Sequence, residues 1–414
     1  MGMFGSDSRG RGGLRIAAAV LGALVIGGGI WLASDWGYWH RWLTRPANMM
    51  EPPDEFYRPV AVVDGSPSPF FEPQPEGQAI SADALEAAAS WAEARESAAL
   101  LVWHDGQVAF ERYWRGLGPD QLFTGRSMSK TLAPLMIGAA IQDGHIQNTE
   151  ERIDKYLPEW ASDPRGAITL KQLLQSTAGL EEPPLVHNPL RKGMRLVLGT
   201  DFAEAALSFD SIAEPGTRFA VNNVNFQLLG MIVERATGQS FEDYLSAKLW
   251  APLGAGAGEL YMDRKDGMPA TYCCYRATPR DWLRLGAALA SDGRVGDREV
   301  ISADWLREMR TGSSANAFYG YSLWLSAPPD GVRRYSQDSS YGVSQSEPFD
   351  ASDIYFLEGG GFRTLWIVPS KKLAILRLGY ASPNWDTAVI PNTILRGMSS
   401  TASTVDESVT SAAQ

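Results

Sequence analysis

The residues best placed to do covalent chemistry lie in the run Phe123-Thr124-Gly125-Arg126-Ser127-Met128-Ser129-Lys130, which leads straight into the apolar stretch TLAPLMIGAAI. A serine hydroxyl is a weak nucleophile until a base takes its proton, and a partly desolvated lysine amine can be that base. If Ser127 opens a helix, Lys130 lies one turn on and on the same side, because residues three apart are neighbours on a helical surface. Free amides at the helix start can then help bind developing negative charge. A serine before a helix also serves simply as its cap, so Ser-x-x-Lys alone leaves both roles open.

Rival chemistries have no comparable signal. There is no G-x-S-x-G elbow, no H-E-x-x-H and no glycine-rich loop ending in Gly-Lys-Ser/Thr. Gly254, Gly256 and Gly258 read as a loop without the preceding strand that a dinucleotide site needs. His40, His104, His145 and His187 are scattered. The two cysteines, Cys273 and Cys274, are adjacent, so they cannot staple distant segments, and with the scattered histidines they make no zinc set. Acidic residues exceed basic ones by 48 to 37, a formal charge of -11, which argues against a nucleic-acid partner.

The elements that must position Ser127 and Lys130 follow from periodicity. Ser81 can cap a helix over 83–97, and apolar runs at 99–104 and 107–114 flank Asp105-Gly106, a strong hairpin signal. Helical patterns then dominate: 127–142, a short helix started by Thr169, 224–237 ending at Gly238, 240–248, 278–291 and 302–310. Strand patterns return at 319–325, 354–358, 363–368 and 373–378, and 384–397 has room for a closing helix. Strands at both ends with a helical middle predict an α/β fold: one antiparallel sheet flanked by helices, with an inserted all-α subdomain.

The ends differ from this body. Residues 1–45 carry five arginines and two acids, net +3, leaving -14 for the remainder. Ile16–Ala33 is an uncharged, mostly apolar run of 18 residues, just able to cross a hydrocarbon core of about 30 Å. Arg9, Arg11 and Arg15 precede it, and Trp31, Trp36, Tyr38, Trp39 and Trp42 crowd its far end, as amphipathic rings do at a headgroup layer. The expectation is a single transmembrane helix over 16–34, with 1–15 cytoplasmic and the body outside, in the periplasm; a cleaved signal peptide is the alternative. Residues 35–80, rich in proline, read as a strap. The tail 398–414 reads as disordered, with eight Ser or Thr in its last sixteen residues.

Several segments in order extend the Ser-x-x-Lys signal: GRSMSK at 125–130, ITLKQLLQSTAGL at 168–180, PGTRFAVNNVNFQLLGMIVERATG at 215–238, CCYRATPRDWLRLG at 273–286 and GGGFRTLWIVP at 359–369. Through them residues 81–397 resemble the serine beta-lactamase-related family. That family includes class C beta-lactamases, D-alanyl-D-alanine carboxypeptidases, lactamase-like esterases and 6-aminohexanoate-oligomer hydrolases. The resemblance implies a nucleophile at Ser127, its lysine at Lys130 and the family asparagine at Asn223. The tyrosine that normally shares proton transfer falls on Val221, which has no proton to give. Tyr272 is the candidate substitute, with Tyr275 competing. The third family element falls on Glu358-Gly359-Gly360-Gly361-Phe362-Arg363. Gly360, Gly361, Phe362 and Arg363 are expected to line the substrate site, with Arg363 either replacing a missing cation or facing solvent.

The resulting expectation is a membrane-anchored serine hydrolase acting on an ester, small amide or peptide-like substrate through an acyl-enzyme, needing no metal or organic cofactor. The Ser127 N–H and a late-strand N–H near Phe362 would cradle the oxyanion, and Tyr272 would protonate the leaving group. The alternative is a protein that keeps the fold but has lost turnover, with a binding or structural role at the membrane.

Overall fold

The computed structural model describes residues 20–22, 27–29, 33–49, 51–75, 79–181 and 188–398. Its main sheet has five antiparallel strands in the order Tyr355–Gly359, Arg363–Val368, Leu373–Gly379, Ser97–His104, Gln107–Tyr113. The N-terminal hairpin thus pairs with a C-terminal meander. Asp105 and Gly106 both take positive φ, 41° and 91°, the geometry a two-residue hairpin requires.

Both faces of this sheet are covered, which explains why SAALLVWH and LAILRLG are so nearly continuous in apolar character. Leu100, Val102, Trp366 and Ile375 face the helices Ala82–Glu93 and Val389–Gly397. Leu101, Leu365, Ala374 and Leu376 face the helix Pro279–Ala290 and the larger core beyond it. Contact there is close: a Cβ on Gly286 would lie 2.8 Å from Leu365 Cδ1 and 3.0 Å from Ala374 Cβ.

A second sheet matters more for the site. It runs Val60–Val63, Gly258–Tyr261, Arg276–Ala277, Phe123–Thr124. Its last two strands bring the chain just after Tyr272-Cys273-Cys274-Tyr275 against the chain just before Gly125-Arg126-Ser127. The strap segment supplies its first strand. Between Thr124 and Gly258 the described chain is helices and turns.

Some elements differ from expectation for identifiable reasons. Residues 126–131 form a 3₁₀ turn that becomes α-helical only at Leu132. The expected strand 319–325 is a turn, because Ser322 takes φ 59° and leaves Tyr319 paired with Trp324. The closing helix starts late, at Val389, after a positive φ at Asn384.

The expected membrane helix over 16–34 needs correction. Among the described residues no helix is long and apolar enough to cross a membrane. Much of that run (16–19, 23–26 and 30–32) lies outside the described residues, as do 1–15 and the tail from Ser399. The bilayer partner, and the single-pass inner-membrane and periplasmic placement drawn from it, lose their basis. Two of the aromatic residues expected at a headgroup layer, Tyr38 and Trp39, have another role; Trp36 is exposed and Trp31 lies outside the described residues. Trp36–Thr44 is a helix of nine residues, about 14 Å long, that docks on the body. Tyr38 and Trp39 pack on Met194 and Leu198, and the Tyr38 hydroxyl donates to the Pro189 carbonyl at 2.6 Å. Arg195 pairs with Asp35 and lies 4.1 Å from the Tyr38 ring. Amphipathic rings suit a half-buried protein surface as well as a headgroup layer. Tyr38→Ala is therefore expected to lower stability by about 3 kcal/mol in a denaturant or thermal melt of the isolated protein; an unchanged melt would place Tyr38 outside the packed structure.

Candidate active site

The 3₁₀ turn at Arg126–Thr131 decides the geometry of the serine and the lysine. With three residues per turn, side chains at i and i+3 eclipse one another. Lys130 Nζ accordingly lies 2.8 Å from Ser127 Oγ. It also donates to the backbone carbonyl of Tyr272 at 2.7 Å. The amine is almost fully enclosed, with Lys130 4% exposed and the Phe226 ring 5.6 Å away. Burial pushes its pKa down to about 7, because the charged form has lost its water. Near neutral pH a substantial fraction of this lysine is thus an unprotonated amine beside a serine hydroxyl.

The segment 272–275 is latched onto the same turn. The Cys274 N–H donates to the Arg126 carbonyl at 3.1 Å, the Gly125 N–H to the Tyr275 carbonyl at 2.9 Å, and the Tyr275 N–H to Ser129 Oγ at 3.0 Å. Arg126 itself is left-handed, φ 52°, a conformation a non-glycine residue holds only when its surroundings enforce it. Cys273 and Cys274 are bonded to each other.

The structure gives Tyr272 a different place from the one expected. Its carbonyl, not its hydroxyl, touches Lys130; the hydroxyl donates to the Leu196 carbonyl at 2.8 Å and burial raises its pKa. Tyr275 packs between Trp250 and Trp282. Among the described residues no tyrosine hydroxyl hydrogen-bonds Ser127 or Lys130. Beside Val221, whose N–H donates to the Tyr335 carbonyl, the Tyr335 hydroxyl is engaged by Glu358.

A cavity of about 340 Å³ opens over Ser127. Asn223, the first residue of the helix Asn223–Thr237, lines it together with Ser127, Tyr272, Cys273, Cys274 and Gly360. Met194 and Val197 form one apolar wall, and Met49, Pro52, Phe56 and Tyr57 another. Of the four residues expected to bind substrate, Gly360 lines the cavity, whereas Gly361, Phe362 and Arg363 turn into their own supports. Phe362 stacks on Trp385 with ring centroids 5.0 Å apart. Buried Arg377 donates to the carbonyls of Gly361 and Phe362, which pins the turn. Arg363 is 1% exposed, donates to the Gly360 carbonyl at 2.5 Å, and pairs with Glu51 at 2.9 Å. It neither faces solvent nor reaches the cavity.

Glu51 also accepts from Arg126 at 3.1 Å. No motif marks Glu51, Tyr57 or Met49 as site residues, since their partners stand far along the chain; only Arg126, adjacent to Ser127, carried a local signal.

The strand end that meets the serine turn is Gly359. A Cβ there would lie 2.3 Å from the Gly125 carbonyl oxygen, 2.8 Å from the Met128 nitrogen and 3.1 Å from the Ser127 nitrogen, all backbone atoms. Gly359→Ala is expected to displace the serine turn and lower stability by about 1–3 kcal/mol. Gly360→Ala, whose Cβ meets open space, should melt within about 0.5 kcal/mol of the parent. Equal melting of the two variants would contradict this packing.

The Beta-lactamase family profile matches residues 82–386. A 6-aminohexanoate-dimer hydrolase from Paenarthrobacter ureafaciens is 26% identical over 299 residues, covering 70% of this chain and 74% of that protein. The solved structure of a putative 6-aminohexanoate-dimer hydrolase from Bacillus anthracis aligns with TM-score 0.64 at 17% identity, over 84% of this chain and 94% of its own. A family VIII carboxylesterase aligns with TM-score 0.56 at 16% identity, over 82% and 100%. The family match supports a hydrolase function in general terms, and the two solved structures show the shared fold. Because the profile spans more than half of its length, the chain belongs to the beta-lactamase family.

Proposed function

We propose that the protein is a serine hydrolase that cleaves an ester or small amide through an acyl-enzyme on Ser127, with Lys130 as the base. The observation that carries this reading is the 2.8 Å contact between a desolvated amine and the serine hydroxyl, at the floor of a cavity. Neutral Lys130 takes the Ser127 proton as Oγ attacks the carbonyl carbon. The Ser127 N–H and the Gly359–Gly360 strand end flank the position where negative charge develops. The Lys130 ammonium returns its proton to the leaving group, and water, deprotonated by the same amine, releases the acid. Asn223 orients the substrate from the cavity wall.

The missing tyrosine bears on the substrate. An amine leaving group must be protonated before it departs, whereas a phenol or alcohol of lower basicity needs less help. With Lys130 as the one proton carrier among the described residues that hydrogen-bonds Ser127, esters are expected to turn over faster than amides of the same acyl group. The similarity to a 6-aminohexanoate-dimer hydrolase and the fold shared with a carboxylesterase agree with this range.

A second reading, a binding protein without turnover, is favoured by one observation: the Tyr272 hydroxyl is committed to Leu196. Active-site labelling separates the two. A fluorophosphonate is expected to add covalently to the parent and not to Ser127→Ala, read by intact mass; equal labelling of both rules out Ser127 as the nucleophile, and no labelling of either favours the binding protein.

Because the base must be neutral and burial lowers its pKa to about 7, kcat/KM for p-nitrophenyl esters should rise with pH through about 7 and level off above it. Lys130→Met should lower the plateau by about 100- to 10,000-fold and remove that rise. A profile that falls across this range would mean that the charged lysine is the active form.

A further inference from the structure

Residues 47–57 precede the part of the chain, 82–386, that the family profile matches, yet they supply one wall of the cavity over Ser127. The segment is firmly seated. Just beyond it, Val60–Val63 pairs with Gly258–Tyr261, and the Pro59 carbonyl accepts from the Met262 N–H at 2.9 Å. Tyr261, itself a cavity residue, takes the Phe56 ring in a stack and the Tyr57 ring edge-on, each with centroids 6.1 Å apart. The docked helix Trp36–Thr44 supports the wall through Tyr38 and Trp39, which form one apolar cluster with Met194 and Leu198; Met49, Phe56 and Val197 pack against that cluster. Met49, Phe56 and Val197 stay half-buried, and with Met194 they line the cavity.

Large apolar side chains beside a nucleophile favour a particular kind of substrate. Each methylene moved from water onto such a surface gains a nearly constant increment of free energy. Accepting the Ser127–Lys130 reading above, we propose that Met49 and Phe56 are specificity-determining residues. With Met194 and Val197 they form a subsite for an unbranched apolar chain of the substrate. The cavity volume, about 340 Å³, lies at the small end of the range for small-molecule sites, so it suits one short chain and not a polymer strand. The segment that reads as a strap in the sequence is thus one side of the substrate pocket, held in place by strand pairing and ring contacts before substrate arrives.

Two ester series test this and separate the acyl from the alcohol part. p-Nitrophenyl acetate, butyrate and hexanoate vary the acyl chain; ethyl, butyl and hexyl acetate, followed by acid release, vary the alcohol chain. Along one of them kcat/KM of the parent should rise about threefold per added methylene. In Phe56→Ala the ratio of longest to shortest ester in that series should fall by about tenfold, and in Met49→Ala it should move in the same direction. Val197→Trp, which fills the space from the opposite wall, should end the rise at a shorter chain. Ratios below about threefold in both series of the parent overturn the proposal, as does a ratio within about twofold of the parent's in whichever Phe56 or Met49 variant folds. Calorimetric titration of octanamide makes the test independent of turnover. Binding to Ser127→Ala/Phe56→Ala should be about tenfold weaker than to Ser127→Ala, and equal affinities overturn the proposal. If no ester is hydrolysed and the fluorophosphonate does not label Ser127, the hydrolase reading fails, while the octanamide titration still decides the role of the wall.

Discussion

A lysine amine stripped of water is the constraint on which the rest of the site depends. Burying a charged ammonium is costly unless partners replace its hydration. Among the described residues Lys130 has two, Ser127 Oγ and the Tyr272 carbonyl, and no carboxylate hydrogen-bonds it. The amine therefore settles toward its neutral form, which is the form that can accept a proton. Each neighbouring element serves to keep water out or to hold one of those two oxygens. The 3₁₀ turn stacks serine over lysine, and the Phe226 ring closes one side. The segment 272–275 is latched to the turn by three further hydrogen bonds, so the Tyr272 carbonyl cannot drift.

That arrangement draws on distant parts of the chain through the smaller sheet. Phe123–Thr124 and Arg276–Ala277 pair directly, and the serine turn and the latch are their immediate continuations. The larger sheet enters through its edge, where Gly359 lets the backbone of one strand abut that of the turn. Arg377 and Arg363, both deeply buried, each donate to carbonyls at this edge, and Arg363 also pairs with Glu51; burial brings the Arg377 pKa down to about 9. Their charge shapes a turn and fastens a wall, and neither contributes a free cation to the cavity. In the mechanism proposed above, valine at position 221 leaves to the lysine the proton traffic that a tyrosine would share.

Reading the sequence succeeded where the interactions are local. Ser127 and Lys130 are three residues apart, so any helical turn brings them together, and the structure only tightened the α-turn to a 3₁₀ turn. Asp105-Gly106 announced its hairpin because both residues tolerate positive φ. It failed where the partner is remote. Tyr272 stands beside the pair in space, yet its hydroxyl points at Leu196, an orientation no spacing encodes. Arg363 was open to two assignments, and its partner Glu51 stands 312 positions away. Trp36, Tyr38 and Trp39 have the amphipathic character that suits a headgroup layer, but the described helix uses Tyr38 and Trp39 to pack on Met194 and Leu198.

By itself the sequence determined the adjacency of Ser127 and Lys130, the antiparallel sheet made from both ends of the body, and the glycine run at the end of the late strand. These rest on turn geometry, on alternation of apolar residues and on steric freedom, all properties of short stretches. Only the tertiary structure decided how dry the lysine is, which atom of Tyr272 meets it, and that a carboxylate from the proline-rich segment pairs with Arg126 and Arg363. Those are consequences of burial and of contacts between segments far apart in the chain. The free energy of a charge depends on everything packed around it, not on its neighbours in sequence.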